Sequence, residues 1–486
     1  MKRLLLIRTY RDAGAGAPVP PLGLMYLASA LRRLPPGPRE IRILDTGLLA
    51  PRALERAIAS FSPDFAGLSA LSSEAGLMKE TAALLKRTAP GVFVAAGGPH
   101  PSADPGEALS CPDIDCAVVG EGEDTAVELL TALERGSSLA DIAGLAWKRA
   151  GTPVVNPART PVPDLDRLPW PAWDLVDLRA YGGRFGWSGY TRFPVVAPVL
   201  TSRGCPYRCA YCHNIFGKRV RARSPENVVQ ELLFLNSTFG VREFHFVDDV
   251  FNFDRNRAAR ICRLILESGL KAALAFPNGL RADLVDEDLL GRLKAAGTYK
   301  IHYGVETASP RIRGLIEKDL TLESVTRAVE LTDKAGIISG GYFMLGFPGE
   351  TAEELKETAD FAAASRFDAA YFFKVTAYPG TRLFEMLPPE RREDYLDASF
   401  RSTSGSYAAV TASELNRALM DAQRRFYLDP RRLWRLLRKS PNPALFLKAA
   451  ARALAVWLEM TILLASENPR GSEDSRPGES RERASR

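Results

Sequence analysis

The 486-residue sequence carries 64 Lys and Arg against 58 Asp and Glu, a net charge of +6, and is 46% hydrophobic and 25% charged. That length and apolar content can supply two to four packed domains. They exclude a largely disordered chain, a collagen-like one and a small disulfide scaffold.

In chain order, Lys2 and Arg3 precede only four apolar residues, Leu4 to Ile7, before Arg8 interrupts. That run is too short for a signal-peptide core, so a reduced, cytoplasmic setting is expected. Residues 1–135 then alternate strand and helix. Strands are predicted at Arg3–Thr9, Phe65–Leu71, Val92–Ala96 and Cys116–Val119, with helices at Leu22–Arg33, Leu54–Phe61, Ala75–Arg87 and Asp124–Leu133. The alternation predicts an α/β, doubly wound, Rossmann-like domain that binds ligands at the carboxyl ends of its strands. Three of those ends are small and polar: Ser69 to Ser73, Gly97-Gly98-Pro99-His100 and Gly120-Glu121-Gly122-Glu123.

Residues 136–193, rich in Pro and Gly, read as a linker with a small hairpin around Gly151. A second alternating block spans 194–399. Its strands are predicted at Val195–Thr201, Glu243–Val247, Ala273–Pro277, Lys300–Val305, Gly341–Gly346 and Ala370–Thr376. Six strands with helices between them fit a partial TIM-type (β/α)6 barrel, with chemistry at the carboxyl ends of its strands. Residues 400–465 read as a basic helical region. From Arg417 to Arg452 ten Lys and Arg face two acids, a local charge of +8 that leaves −2 elsewhere. The charge is thus confined to one segment, and no nucleic-acid footprint is expected in the rest of the chain. The tail, 466–486, reads as disordered.

The sharpest motif is Cys205-Pro-Tyr-Arg-Cys209-Ala-Tyr211-Cys212, directly after the first strand of the second block. Three thiolates so close are soft ligands suited to an iron–sulfur cluster or zinc. Zinc would want His213 as a fourth ligand, but adjacent residues such as Cys212 and His213 point apart. A [4Fe–4S] cluster usually takes four cysteines, whereas Cys111, Cys116 and Cys262 fall in other predicted units, so one iron would stay open. No Ser–His–Asp arrangement or phosphate-binding Gly-x4-Gly-Lys loop competes with this motif.

The C-x3-C-x2-C spacing, with Tyr before the third Cys, resembles the signature of radical S-adenosylmethionine (SAM) enzymes. With the preceding αβ domain, the chain resembles the B12-binding radical SAM family over roughly residues 1–400. The resemblance implies that Cys205, Cys209 and Cys212 hold a [4Fe–4S] cluster whose free iron chelates SAM. It implies contacts to SAM from Tyr211, Arg281, Gly304, Glu306 and Gly346, and catalytic roles for Asp248 and Asp249. Lys318, downstream of Glu306, reads as a structural pairing residue. Cobalamin would be lined by Ser69, Leu71, Ser72, Gly97 and Gly98, touched at its edge by His100, and its nucleotide tail accepted by Gly120 and Gly122. The Asp-x-His-x-x-Gly motif of cobalamin domains that supply a lower His ligand is missing.

The activity so implied is radical C-methylation of an unactivated carbon in a small-molecule or lipid substrate. Electrons would come from an external donor such as flavodoxin or ferredoxin. The same cofactors could instead serve oxidative cyclisation or rearrangement. A reading from another class is an inert metal-binding or electron-transfer protein. The late basic helices, with Phe446, Leu447, Leu454, Trp457 and Leu458 among Lys and Arg, suit either a cap on the barrel or peripheral contact with an anionic membrane.

Overall fold

The apolar runs of the first block form parallel strands in a computed structural model that describes residues 1–10, 19–35, 38–50, 52–182, 191–392, 395 and 406–439. They are β1 (Arg3–Arg8), β2 (Glu40–Asp45), β3 (Phe65–Ser69), β4 (Phe93–Gly97) and β5 (Cys116–Val118). In β1, Leu5 and Ile7 pack into one hydrophobic layer and Leu4 and Leu6 into the other. Successive side chains leave a strand on opposite faces, so a strand covered on both sides is apolar throughout.

Two elements differ from the sequence expectation. No strand is predicted at β2, because charged Glu40 and Arg42 alternate with Ile41 and Ile43; it is an edge strand with Glu40 and Arg42 exposed. The hairpin near Gly151, β6 (Leu145–Arg149) and β7 (Thr152–Val155), pairs antiparallel with β5. It extends the first sheet past residue 135 to seven strands in the order β2-β1-β3-β4-β5-β6-β7.

The second block holds six parallel strands, ordered β8-β11-β12-β13-β14-β15. They are β8 (Val196–Val199), β11 (Glu243–Phe246), β12 (Ala273–Phe276), β13 (Thr298–Glu306), β14 (Ile338–Leu345) and β15 (Ala369–Lys374). Between the first two lies a short antiparallel ladder, β9 (Ser202–Arg203) and β10 (Arg221–Ala222). Phe244, Phe246, Phe276, Tyr303 and Phe343 pack into the helical shell. Alternate residues His302, Tyr342 and Tyr371 make edge-on and tilted ring contacts with one another on the other face of the sheet.

The last described helix of the basic region is fastened to the barrel floor. Leu436, on the helix Pro430–Lys439, packs against Ala273, Ala275, Tyr299 and Ile338 at the starts of their strands. The buried Arg432 guanidinium donates to the carbonyls of Ala363, Ser365 and Phe367, and Lys439 bridges Asp333 and Asp368. Among the described residues no helix is long and apolar enough to cross a membrane. Phe446, Leu447, Leu454, Trp457, Leu458 and the tail 466–486 lie outside the described residues.

Candidate active site

The loop 204–220 leaves β9 and returns into β10, so the two-rung ladder closes its base. Gly204 opens it with φ +93°, and a Cβ there would stand 2.4 Å from the Arg219 carbonyl oxygen, so only glycine fits between Arg203 and Cys205. Midway, Ala210 is clamped across the barrel mouth. Its N–H donates to the Ile316 carbonyl (2.8 Å) and its carbonyl accepts from the Leu383 N–H (2.8 Å). Ile312, Ile316, Phe347, Val375 and Leu383 pack around it. The loop is thereby seated over the carboxyl ends of β13 to β15.

The three thiols are free, and Cys212 lies close enough to Cys205 and Cys209 to feel their charges. Among the described residues no three His, Cys, Asp or Glu side chains are spaced to grip a single metal ion. Three thiols without a fourth protein ligand fit a multi-iron cluster with one open iron and do not fit tetrahedral zinc. His213 is exposed.

Glu306, Tyr211 and Lys318 converge beside this loop. The Tyr211 hydroxyl donates to Glu306 Oε1 at 3.0 Å, and Lys318 Nζ lies 3.2 Å from both oxygens. Burial, then the Glu306 charge, pushes the Tyr211 phenol up, so it stays a donor. Glu306 has φ +68°, and the β13–β14 register slips between Gly304 and Glu306. A left-handed non-glycine residue costs on the order of 1–3 kcal/mol, and such strain collects at functional sites. Here the bulge turns the carboxylate towards the cysteine loop. Gly304 makes room: a Cβ there would come within 2.5 Å of Glu306 Oε1. Lys318 is thus a pairing residue, as its sequence position suggested.

Asp248 departs from the expected catalytic role. Asp248, 1% exposed, accepts from the Thr201 N–H (2.9 Å), the Thr201 hydroxyl and the Ser202 hydroxyl (2.7 Å), so its oxygens are engaged in holding the end of β8. Asp249 accepts from the Gly204 N–H (3.2 Å) and does not cap the next helix, which Asp254 caps. Arg281 is also otherwise engaged. Its guanidinium lies 3.6 Å over the Tyr207 ring, pairs with Asp283 and reaches the Asp319 carbonyl. Its place is to brace the cysteine loop. Gly346 packs under Leu415 and donates to Glu350 Oε2, as does Phe347. Sequence reasoning assigned Glu350 no part, yet it is fully buried and burial pushes it up to about 7.

In the first sheet the strand order reverses between β1 and β3, where doubly wound sheets bind ligands. A small cleft of about 120 Å³ opens there, lined by Arg8, Leu22, Ser69, Leu71, Glu74 and Pro99 among others. Gly98, at φ +91° and ψ −166°, adjoins the lining residue Pro99 in a region open only to glycine; a Cβ would stand 2.9 Å from Ser69 Oγ. Gly97 ends β4 beside it, and Ser72 starts a buried turn after Leu71. His100 departs from its expected place at a ligand edge. It is 0% exposed, and its Nε2 sits 2.6 Å from Glu107. Gly120 donates to Ser102 Oγ at 3.0 Å, and Gly122 packs on Leu27. The cleft takes no imidazole from His100, which suits a corrinoid bound without a histidine from this loop.

Residues 12–130 match the B12 binding domain, and residues 199–362 match the radical SAM superfamily. The sequence is 36% identical over 397 residues to an uncharacterized methyltransferase of Pyrococcus horikoshii, spanning 79% of this chain and 83% of that one. The chain belongs to the B12-binding radical SAM family. It is 28% identical to the anaerobic magnesium-protoporphyrin IX monomethyl ester cyclase of Rubrivivax gelatinosus, over 88% of this chain and 78% of that one. The fold matches the cobalamin-dependent SAM radical enzyme OxsB, solved with aqua-cobalamin and SAM, at a TM-score of 0.71 and 18% identity, over 96% of this chain and 72% of that one. This family member is therefore a radical SAM enzyme whose cofactors are a [4Fe–4S] cluster, SAM and cobalamin, and it is methyltransferase-like.

Proposed function

We propose that this enzyme methylates an unactivated carbon of a small-molecule substrate held between the barrel mouth and the cleft of the first sheet. The observation that carries the reading is that both candidate sites lie at the carboxyl ends of their strands and that their loops meet. Ala103, just past β4, abuts Gly380 of the loop after β15, and Glu123 pairs with Arg203 at the start of the cysteine loop. When bound, the iron–sulfur cluster and SAM supply a 5′-deoxyadenosyl radical, and cobalamin supplies a transferable methyl group.

The protein's part is positioning and exclusion of water. Cys205, Cys209 and Cys212 would hold the cluster, with Ala210 clamping their loop. Tyr211, Glu306 and Lys318 form a preset polar group for the hydroxyls and amino group of SAM, in a place where water is largely excluded. Asp248 and Asp249 hold the backbone that presents Cys205. Ser69, Leu71 and Gly98 would receive the corrin ring. A one-electron donor of the flavodoxin or ferredoxin type would reduce the cluster. The floor position of the helix Pro430–Lys439 favours the cap reading of the basic region, because it lies opposite the chemistry.

The test is anaerobic incubation of reduced enzyme with SAM bearing a deuterated methyl group and candidate substrates. Gain of one labelled methyl group on substrate carbon supports the proposal. Loss of substrate hydrogens without label would favour oxidative cyclisation, the reading that the similarity to the cyclase keeps open.

A further inference from the structure

Arg203 and Arg221 are directly opposed partners in the β9–β10 ladder that closes the cysteine loop. Like charges facing each other across a strand pair repel, and both residues are buried, at 4% and 8% exposure. Neither finds its carboxylate in the barrel. Arg203 Nη2 lies 2.5 Å from Glu123 Oε1, and Arg221 holds both oxygens of Glu121, at 2.6 and 3.0 Å. Glu121 also accepts from the Val162 N–H at 2.8 Å and lies 3.4 Å from Arg203. Glu121 lies in the loop after β5 and Glu123 opens the helix Glu123–Arg135, the segment whose glycines were assigned above to the cobalamin nucleotide. Tyr26, on the helix Leu22–Arg32, and Phe216 flank the Arg203 guanidinium at 5.2 and 5.3 Å.

We propose that Glu121 and Glu123 are positioning residues for the iron–sulfur loop: the cobalamin domain neutralises the two arginines and thereby sets the base from which Cys205 is presented. The barrel's own acids do not do this. Asp248 and Asp249 grip the same stretch of chain through the neutral donors of Thr201, Ser202 and Gly204. Two guanidiniums and two carboxylates cancel in charge. Removing one carboxylate leaves a buried, unpaired cation beside the cysteine loop. Despite burial, which pushes it up, Arg221 and Arg203 hold the Glu121 carboxyl below its ordinary range. The inference rests on the proposed function only for the identity of the cluster.

The experiment uses full-length protein, anaerobically reconstituted and loaded with cobalamin, as wild type, Glu121→Gln, Glu123→Gln and Asp124→Asn. Asp124 neighbours Glu123 but pairs with Arg167 outside the clasp, so its variant is the control. Both Gln variants are expected to keep the cobalamin absorption spectrum. Their electron paramagnetic resonance signal of the reduced cluster should shift, and SAM affinity should fall at least about tenfold. Asp124→Asn should match wild type. If a Gln variant fails to fold, Glu123→Asp, which keeps the charge with a shorter reach, should change the signal in the same direction. Wild-type cluster signals and SAM affinity in the Glu121 and Glu123 variants would overturn the proposal. A wild type that assembles its cluster but neither binds nor cleaves SAM would remove the proposed function instead, leaving the SAM-free cluster signal to test the clasp.

Discussion

The two strand-end mouths of this enzyme are built by opposite means. The barrel mouth is organised by side chains: Asp248, Asp249, Arg281, Tyr211, Glu306 and Lys318 each make named contacts that hold the cysteine loop or fill the space beside it. The cleft of the first sheet is lined largely by small and apolar residues, Leu22, Ser69, Ala70, Leu71 and Pro99 among them, with Gly98 beside it in a glycine-only conformation. A side-chain site preserves charge and direction for a small polar ligand. A cleft of small and apolar residues suits a mostly uncharged one. Substitutions should therefore fail differently at the two mouths.

Lys318→Met carries the largest expected effect at the barrel mouth. It leaves the Glu306 carboxylate buried without its ammonium partner, which should cost about 3 kcal/mol of stability. SAM affinity, by isothermal titration under nitrogen, should fall at least about tenfold, while the cobalamin spectrum stays unchanged. Gly98→Ala should do the reverse. Forcing a Cβ into that conformation should cost about 2 kcal/mol and weaken cobalamin retention, leaving the iron content at wild-type level. Loss of both cofactors in either variant would break the contrast.

A smaller effect should appear in the pH dependence of stability. Glu350 titrates at about 7 when folded, against an ordinary value of 4.5. Between these values the folded chain holds a proton that the unfolded chain has released, so stability should fall as pH rises through that window. Glu350→Gln keeps an acceptor for the Gly346 and Phe347 amides and carries no charge. It should raise stability at pH 8 by on the order of 1 kcal/mol and flatten the slope, read as melting temperature from pH 4.5 to 8.

Much of this was legible in the sequence where chemistry is contiguous. Cys205 to Cys212 sit within one loop, and six apolar runs between amphipathic helices announce the barrel strands. The sequence was less informative where a residue's role depends on distant partners. β2 was missed because Glu40 and Arg42 interrupt its apolar pattern at a sheet edge. Asp248 and His100 occupy strand ends that suggest chemistry, yet Thr201, Ser202 and Glu107 engage them from elsewhere in the chain. Arg203 and Arg221 could have been noticed as the charges bracketing the cysteine loop. Only the fold brings Glu121 and Glu123 to them, across 80 to 100 residues of sequence.

The most direct test of the central claim compares wild type with the Cys205→Ala/Cys209→Ala/Cys212→Ala variant after anaerobic purification and reduction in the presence of SAM. Wild type should release 5′-deoxyadenosine, and the triple variant should contain no cluster and release none. A triple variant that keeps its cluster and still cleaves SAM would contradict the assignment of the reaction to this loop.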